Sequence, residues 1–190
     1  MPPAPKVTSV TINRAPVLTL WAAVVAERLG FARDDALTLG KAVAGLNAQS
    51  KGRGLGIFSP AGKAAAARRK GEPPKPGEIL RVELLQRAVP AVRTPEGLRA
   101  VHGGKPMSPE SVERYLETKF KESLGPAREA MESLAASLDA EDLAANAYAL
   151  YETIRPAIPP GAKGWGAAGV LDLERIRSLA KAGAYGGRAR

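Results

Sequence analysis

Residues 16–48 read PVLTLWAAVVAERLGFARDDALTLGKAVAGLNA, and they carry the clearest structural signal of the chain. Apolar residues recur at helical spacing in both halves of this stretch, which predicts two amphipathic helices. Pro16 suits the first turn of the first helix, and Gly30 is a typical helix end. Because few residues separate the two patterns, we predict a tight helix pair, which we assign to residues 13–58.

The junction of this helix pair carries a short motif. Residues 26–30 read AERLG, and Ala36 and Leu39 follow at apolar positions. This arrangement loosely resembles the Ala-x-x-Leu-Gly turn of helix-turn-helix DNA-binding domains, whose second helix enters the major groove. In this chain the second helix opens with Asp34 and Asp35, whose carboxylates would face DNA phosphates. A purely structural helix hairpin is therefore the alternative interpretation.

The positive charge of the chain is unevenly distributed. The net charge is +9, and residues 1–105 carry 17 Lys+Arg against 7 Asp+Glu, whereas residues 106–190 carry 11 against 12. An uneven field of this kind indicates an anionic partner. The excess is densest around an Ala- and Pro-rich stretch, which we predict to be a flexible basic arm at residues 59–78.

The basic residues of this region are the candidate nucleic-acid contacts. They can neutralise phosphates without reading the base sequence, and binding of that kind depends strongly on salt. The candidates are Lys51, Arg53, Lys63, Arg68, Arg69, Lys70 and Lys75. The alternative interpretation is that these charges only keep a solvated loop soluble.

A β-hairpin is predicted at residues 79–105. Two β-prone runs flank the sequence TPEG at residues 94–97, which is a plausible four-residue connection. Arg93 and Arg99 lie on the two sides of this turn and could act as a wing beside the helix pair. The alternative is a plain surface hairpin.

A glycine-rich loop, GAKGWGAAG at residues 161–169, holds the last candidate contacts. Trp165 could stack on a base or on the surface of a partner, with Lys163 beside it. The alternative is that Trp165 fills a gap between the last two helices, because a tryptophan buries a large apolar area.

The composition excludes several kinds of chemistry. The chain has no cysteine, which excludes disulfides and thiolate nucleophiles, and His102 is its only histidine. The glycine-rich segments at residues 52–56 and 102–105 match neither a phosphate-binding loop nor a nucleophile elbow. We therefore expect no enzymatic activity, no cofactor and no metal. The first residues, MPPAPK, lack an apolar signal region, and no stretch is apolar enough for a membrane span, so we expect a cytoplasmic protein with no membrane partner.

These patterns together predict a mainly α fold. We expect one compact helical domain, residues 13–190, with about five to six helices, a small β-hairpin and the basic flexible arm. Residues 1–12 would form an N-terminal tail with a short β-prone segment, and residues 106–190 the C-terminal helices. The expected function is non-enzymatic nucleic-acid binding, mainly to the DNA backbone. The alternative is a helical protein-interaction or dimerising scaffold with an acidic partner, and a homodimer is compatible with either function.

Overall fold

The structure is a computed structural model that describes residues 6–54, 78–161 and 167–183. The described residues form six α-helices, a short 3-10 turn and six strands. The helices are α1 (Arg14–Arg28), α2 (Arg33–Gly54), α3 (Pro109–Phe120), α4 (Leu124–Ala136), α5 (Ala140–Ile154) and α6 (Leu173–Ala182). The strands are β1 (Ser9–Asn13), β2 (Leu80–Leu84), β3 (Arg87–Thr94), β4 (Gly97–His102), β5 (Lys105–Pro106) and β6 (Ala168–Asp172).

Helix α1 is the centre of the fold. Every residue from Pro16 to Ala26 is buried, so the helix has no solvent-facing side over this length. A helix that is apolar all round is typical of a protein core. Trp21 is fully buried, and its indole Nε1 donates a hydrogen bond to the carbonyl of Ala147 on α5 at 2.8 Å. Helices α2, α4 and α5 pack around α1.

The α1–α2 hairpin is close-packed because a glycine lies at the helix crossing. A Cβ atom built on Gly40 would lie 2.5 Å from the carbonyl oxygen of Thr19 and 2.8 Å from the amide nitrogen of Ala23. Both atoms belong to the backbone of α1, so the contact leaves no room for a side chain. The predicted tight helix pair therefore exists, and its closest approach is at Gly40.

Two sheets make the fold a mixed α/β one. Strands β2, β3, β4 and β5 form a four-stranded antiparallel sheet in that order, and β1 pairs with β6 in a two-stranded antiparallel sheet. The prediction of a mainly α fold with a small hairpin is therefore wrong. The larger sheet contributes Leu84, Val89, Leu98 and Ala100 to the core, all of them buried. The predicted turn at residues 94–97 joins β3 to β4, where Thr94 pairs with Gly97.

The two-stranded sheet ties the ends of the described chain together. Its register runs from the Ser9 and Asp172 pair to the Asn13 and Ala168 pair. Residues 9–12, assigned above to an N-terminal tail, are thus part of the folded body. The segment 106–190, assigned above to helices, also contains β6, which leads directly into α6.

Candidate nucleic-acid interface

The structure places the predicted contacts in three different settings. Lys51 and Arg53 lie near the end of α2. Arg93 is exposed on β3, whereas Arg99 on β4 is buried. The remaining candidates lie outside the described residues; they are Lys63, Arg68, Arg69, Lys70, Lys75, Lys163 and Trp165, together with most of the predicted basic arm.

The folded body is almost electrically neutral. Residues 6–54, 78–161 and 167–183 contain 20 Lys+Arg and 18 Asp+Glu, a net charge of +2. The other 40 residues contain 8 Lys+Arg and 1 Asp+Glu, a net charge of +7. Most of the excess positive charge of the chain therefore belongs to the segments outside the described ranges, of which residues 55–77 are the longest.

Two described elements that border the basic segments lie at the same end of the helical core. Gly40 faces the middle of α1, so α2 reaches the level of Arg14 about seven residues later and continues for about 10 Å beyond it. Arg14 also marks where α5 ends, because its Nε donates a hydrogen bond to the carbonyl of Pro156 at 3.2 Å. Ala168 pairs with Asn13, next to Arg14. The end of α2, which precedes residues 55–77, and the start of β6, which follows residues 162–166, thus both lie towards the N-terminal end of α1.

Arg99 is held in the interior by an ion pair. Its Nη1 lies 2.8 Å from Oδ1 of Asp35, and only 6% of the residue is exposed. The same nitrogen donates to the carbonyl of Leu98 at 3.0 Å. This guanidinium joins β4 to the first turn of α2, and it is not directed towards a ligand at the surface. We therefore remove Arg99 from the set of candidate phosphate contacts.

Helix α2 exposes Arg33, which is paired with Glu113, and the acidic Asp34 at its start, and it has no exposed face in the next turn. All five residues from Ala36 to Gly40 are buried, and the Oγ1 of Thr38 accepts a hydrogen bond from the amide of Ala100 on β4 at 3.0 Å. A recognition helix needs an exposed face at its N-terminal end. Because α2 is packed there between α1 and β4, the geometry favours the structural helix hairpin over a helix-turn-helix reader.

A basic cluster on the folded body was missed by the sequence analysis. The Nζ of Lys41 on α2 lies 3.8 Å from the centre of the Tyr115 ring on α3, and Lys119 follows Tyr115 by one helical turn. Burial, and then the positive charge of Lys119, lower the pKa of Lys41. Burial also raises the pKa of Tyr115. The only sequence signal was that Lys41 begins the densest basic stretch of the chain.

A second polar cluster lies between α2, β3 and α5. The buried Asn47 accepts two hydrogen bonds at its Oδ1, from Nη2 of Arg87 and from the hydroxyl of Tyr148, each at 3.2 Å. The Arg87 guanidinium also lies 5.1 Å from the centre of the Tyr148 ring. These contacts connect three elements, so a structural role accounts for them, although within the described residues the buried Nε of Arg87 has no hydrogen-bond partner.

One apolar cleft is acidic at its rim. It has a volume of about 450 Å³ and lies between the end of α1, the start of α5 and the turn from β2 to β3. Val25 and Leu29 belong to its floor, while Glu83 and Glu141 are both exposed at its edge. Two carboxylates repel phosphate, so this cleft does not belong to a nucleic-acid interface.

Other kinds of site find no support in the described ranges. No group of three or more His, Cys, Asp or Glu side chains there could hold a metal ion, and His102 is exposed at the end of β4. None of the helices in those ranges combines the length and the apolar character needed to cross a bilayer. Comparison of the chain with protein-family models, with curated proteins and with solved structures gave no match.

Proposed function

We propose that this protein binds nucleic acid by contacting backbone phosphates, with DNA as the ligand to test first. The observation that carries the proposal is the separation of charge, with a net +2 in the 150 described residues and a net +7 in the other 40. The described residues are close to neutral overall, and some of their charges form ion pairs, such as Arg128 with Glu27 at 2.6 Å. Folding alone gives no reason for the excess, and an anionic partner does.

The expected salt dependence follows from the number of basic residues. If all seven proposed contacts from Lys51 to Lys75 neutralise a phosphate, the logarithm of the binding constant falls with the logarithm of salt with a slope of about −6. Affinity then drops about 6,000-fold between 50 and 200 mM salt. Removing three contacts reduces the slope to about −3.6 and this drop to about 150-fold.

The test is fluorescence anisotropy of a labelled random DNA duplex at several salt concentrations between 50 and 200 mM. The protein is compared with the triple variant Arg68→Ala/Arg69→Ala/Lys70→Ala. We expect salt-sensitive binding by the wild type, and both weaker binding and a smaller slope for the variant.

The matched control also removes three positive charges, but from the folded body instead of the basic segment. Arg114, Arg175 and Lys181 are exposed, and no ion pair is formed by them within the described part of the chain. Changing all three to alanine should leave the slope close to that of the wild type. Equal losses in the two triple variants would mean that only net charge matters, and absence of binding at 50 mM salt would refute the proposal.

A dimerising or protein-interaction scaffold is the alternative. It is favoured by two exposed large apolar residues, because Ile79, just before β2, and Val170, on β6, are each 49% exposed. A scaffold of this kind predicts a concentration-dependent dimer in light scattering that the triple variant of the basic segment does not change. It also predicts that Val170→Ser shifts the protein towards the monomer.

A further inference from the structure

Where α2 packs against α3, Lys41 contacts the Tyr115 ring, and Lys119 lies one helical turn after Tyr115. Lys41 is half-buried against Tyr115, and Lys119 is the neighbouring positive charge. Within the described residues, neither lysine lies within 4.0 Å of a carboxylate, although the acidic residues of α3 are close in sequence. Glu113, for example, is paired with Arg33 at 2.8 Å.

This arrangement of two lysines favours the binding of an anion. Two neighbouring ammonium groups repel each other, and burial of one of them weakens its hydration. A phosphate shared by the two lysines would balance both charges, and Lys commonly binds phosphate as a compact point charge. The Tyr115 ring holds the Lys41 ammonium in place, which lowers the entropy lost on binding.

Lys51, one of the proposed contacts, lies on the same helix as Lys41, nearer its C-terminal end. Lys51 follows Lys41 by ten residues, which is about 15 Å along the helix axis and about 80° around it. Between them, Gly45 is exposed, and a Cβ atom built there meets nothing within 4 Å. A distance of about 15 Å along a duplex corresponds to about four base-pair steps, so one backbone strand could contact both lysines.

We propose that Lys41 and Lys119 form a phosphate-binding site on the folded body, which extends the nucleic-acid contacts of Lys51 and Arg53 along α2. The inference rests on the proposed function, because the phosphate is taken to belong to the nucleic-acid backbone. It assigns a role in nucleic-acid binding to the folded body in addition to that of the basic segment.

The first test compares Lys41→Met/Lys119→Gln with Lys105→Gln/Lys181→Gln in the anisotropy assay. Methionine at position 41 keeps an apolar stem against Tyr115, and both double variants remove two charges. We expect the first variant to reduce the salt slope by about 1.8 and the affinity at 100 mM salt by about 60-fold. The control, whose two lysines are exposed, should stay within about twofold of the wild type.

The second test measures protection of individual lysines. Acetylation of Lys41, Lys119 and Lys105 is first measured in the free protein at pH 8, so that each lysine serves as its own reference. Saturating DNA duplex should slow acetylation of Lys41 and Lys119, with Lys105 unchanged, when each site is quantified by mass spectrometry.

The outcomes separate the two proposals. Absence of DNA binding by the wild type refutes both. If the wild type binds and the triple variant of the basic segment loses affinity, but Lys41→Met/Lys119→Gln keeps the full slope and Lys41 stays unprotected, the function stands and this site is refuted. A folded variant with a reduced slope, together with protection of both lysines, supports the site.

Discussion

Gly40 and Gly45 lie five residues apart on α2, and alanine at the two positions should change stability in opposite directions. Alanine favours a helix over glycine by about 1 kcal/mol, and this gain applies to both sites. At Gly45 the new methyl group meets no described atom within 4 Å, so the full gain in the free energy of unfolding should be measured. At Gly40 the methyl group would lie 2.5 Å and 2.8 Å from backbone atoms of α1, which cannot withdraw because α1 is buried on every side.

The cost at Gly40 can be set against the gain. Forcing an extra methyl group into a close-packed core costs about 1–3 kcal/mol, and more where backbone atoms must move. A real Cβ atom approaches other atoms no closer than about 3.0 Å, whereas the Cβ at position 40 would lie 2.5 Å from the carbonyl oxygen of Thr19. The two helices must therefore separate by at least about half an ångström. We therefore expect Gly40→Ala to be less stable than wild type by about 1–2 kcal/mol, and Gly45→Ala to be more stable by about 1 kcal/mol.

The assay is urea denaturation followed by circular dichroism, with thermal melts as a second measurement. For a chain of this size, 1 kcal/mol corresponds to a shift in Tm of about 2–4 °C. Gly45→Ala is the matched control, since it makes the same chemical change on the same helix. If Gly40→Ala proved as stable as Gly45→Ala, the helix crossing described above would be incorrect.

Two other predictions concern buried polar groups. Asp35→Ala leaves the buried Arg99 without its ion-pair partner and should lower the free energy of unfolding, measured in urea, by about 3 kcal/mol. The double variant Asp35→Ala/Arg99→Met should recover most of that loss. A double variant no more stable than the single one would contradict this prediction. Burial raises the pKa of Tyr151 to about 12, above the value near 10 of an unfolded tyrosine, so the native state keeps its proton between these values and stability should fall as pH rises from about 10 to about 12. Tyr151→Phe removes a buried hydroxyl that has no hydrogen-bond partner among the described residues, so the variant's unfolding free energy should equal or exceed that of the wild type at pH 7 and fall less at pH 11. An equal fall in both proteins would count against the assignment.

Local signals could predict the helices but not the sheets. The apolar periodicity of residues 16–48 predicts α1 and α2, and the sequence TPEG marks the turn between β3 and β4. The turn between β2 and β3 has no such marker, because Leu85 and Gln86 occupy it with φ values of 49° and 59°. Glycine or asparagine is usual at those positions, so the extent of the larger sheet was underestimated.

The second sheet could not be predicted because it joins distant parts of the chain. Ser9 pairs with Asp172 across more than 160 residues, and Ala168 and Gly169 are poor strand formers. Gly169 is needed because the backbone of Ala157 approaches it closely, as the bridge between Ala157 and Val170 indicates. A glycine of this kind reads as a loop residue in the sequence, although it lies in a strand.

For the candidate site, the sequence predicted charge but not location. Arg93 and Arg99 are equivalent as basic residues flanking a turn, yet one is exposed and the other is paired with Asp35 inside the protein. The difference depends on α2 packing against β4, a contact between segments more than 60 residues apart. Lys41 was not predicted as a contact, because its position beside Tyr115 exists only when α3 packs against α2.

Burial of the helix pair also bears on what kind of nucleic-acid binding to expect. Reading of base sequence in the major groove requires a helix or a strand pair that can enter it with side chains exposed. Helix α1 has no exposed face from Pro16 to Ala26, and residues 36–40 of α2 are buried where α2 packs against α1 and β4. The basic residues that remain, on the second half of α2 and in the segment after it, are suited to phosphates and carry no base code. Binding through them should therefore be nearly independent of sequence, with its strength set by the number of phosphates reached and by the salt concentration.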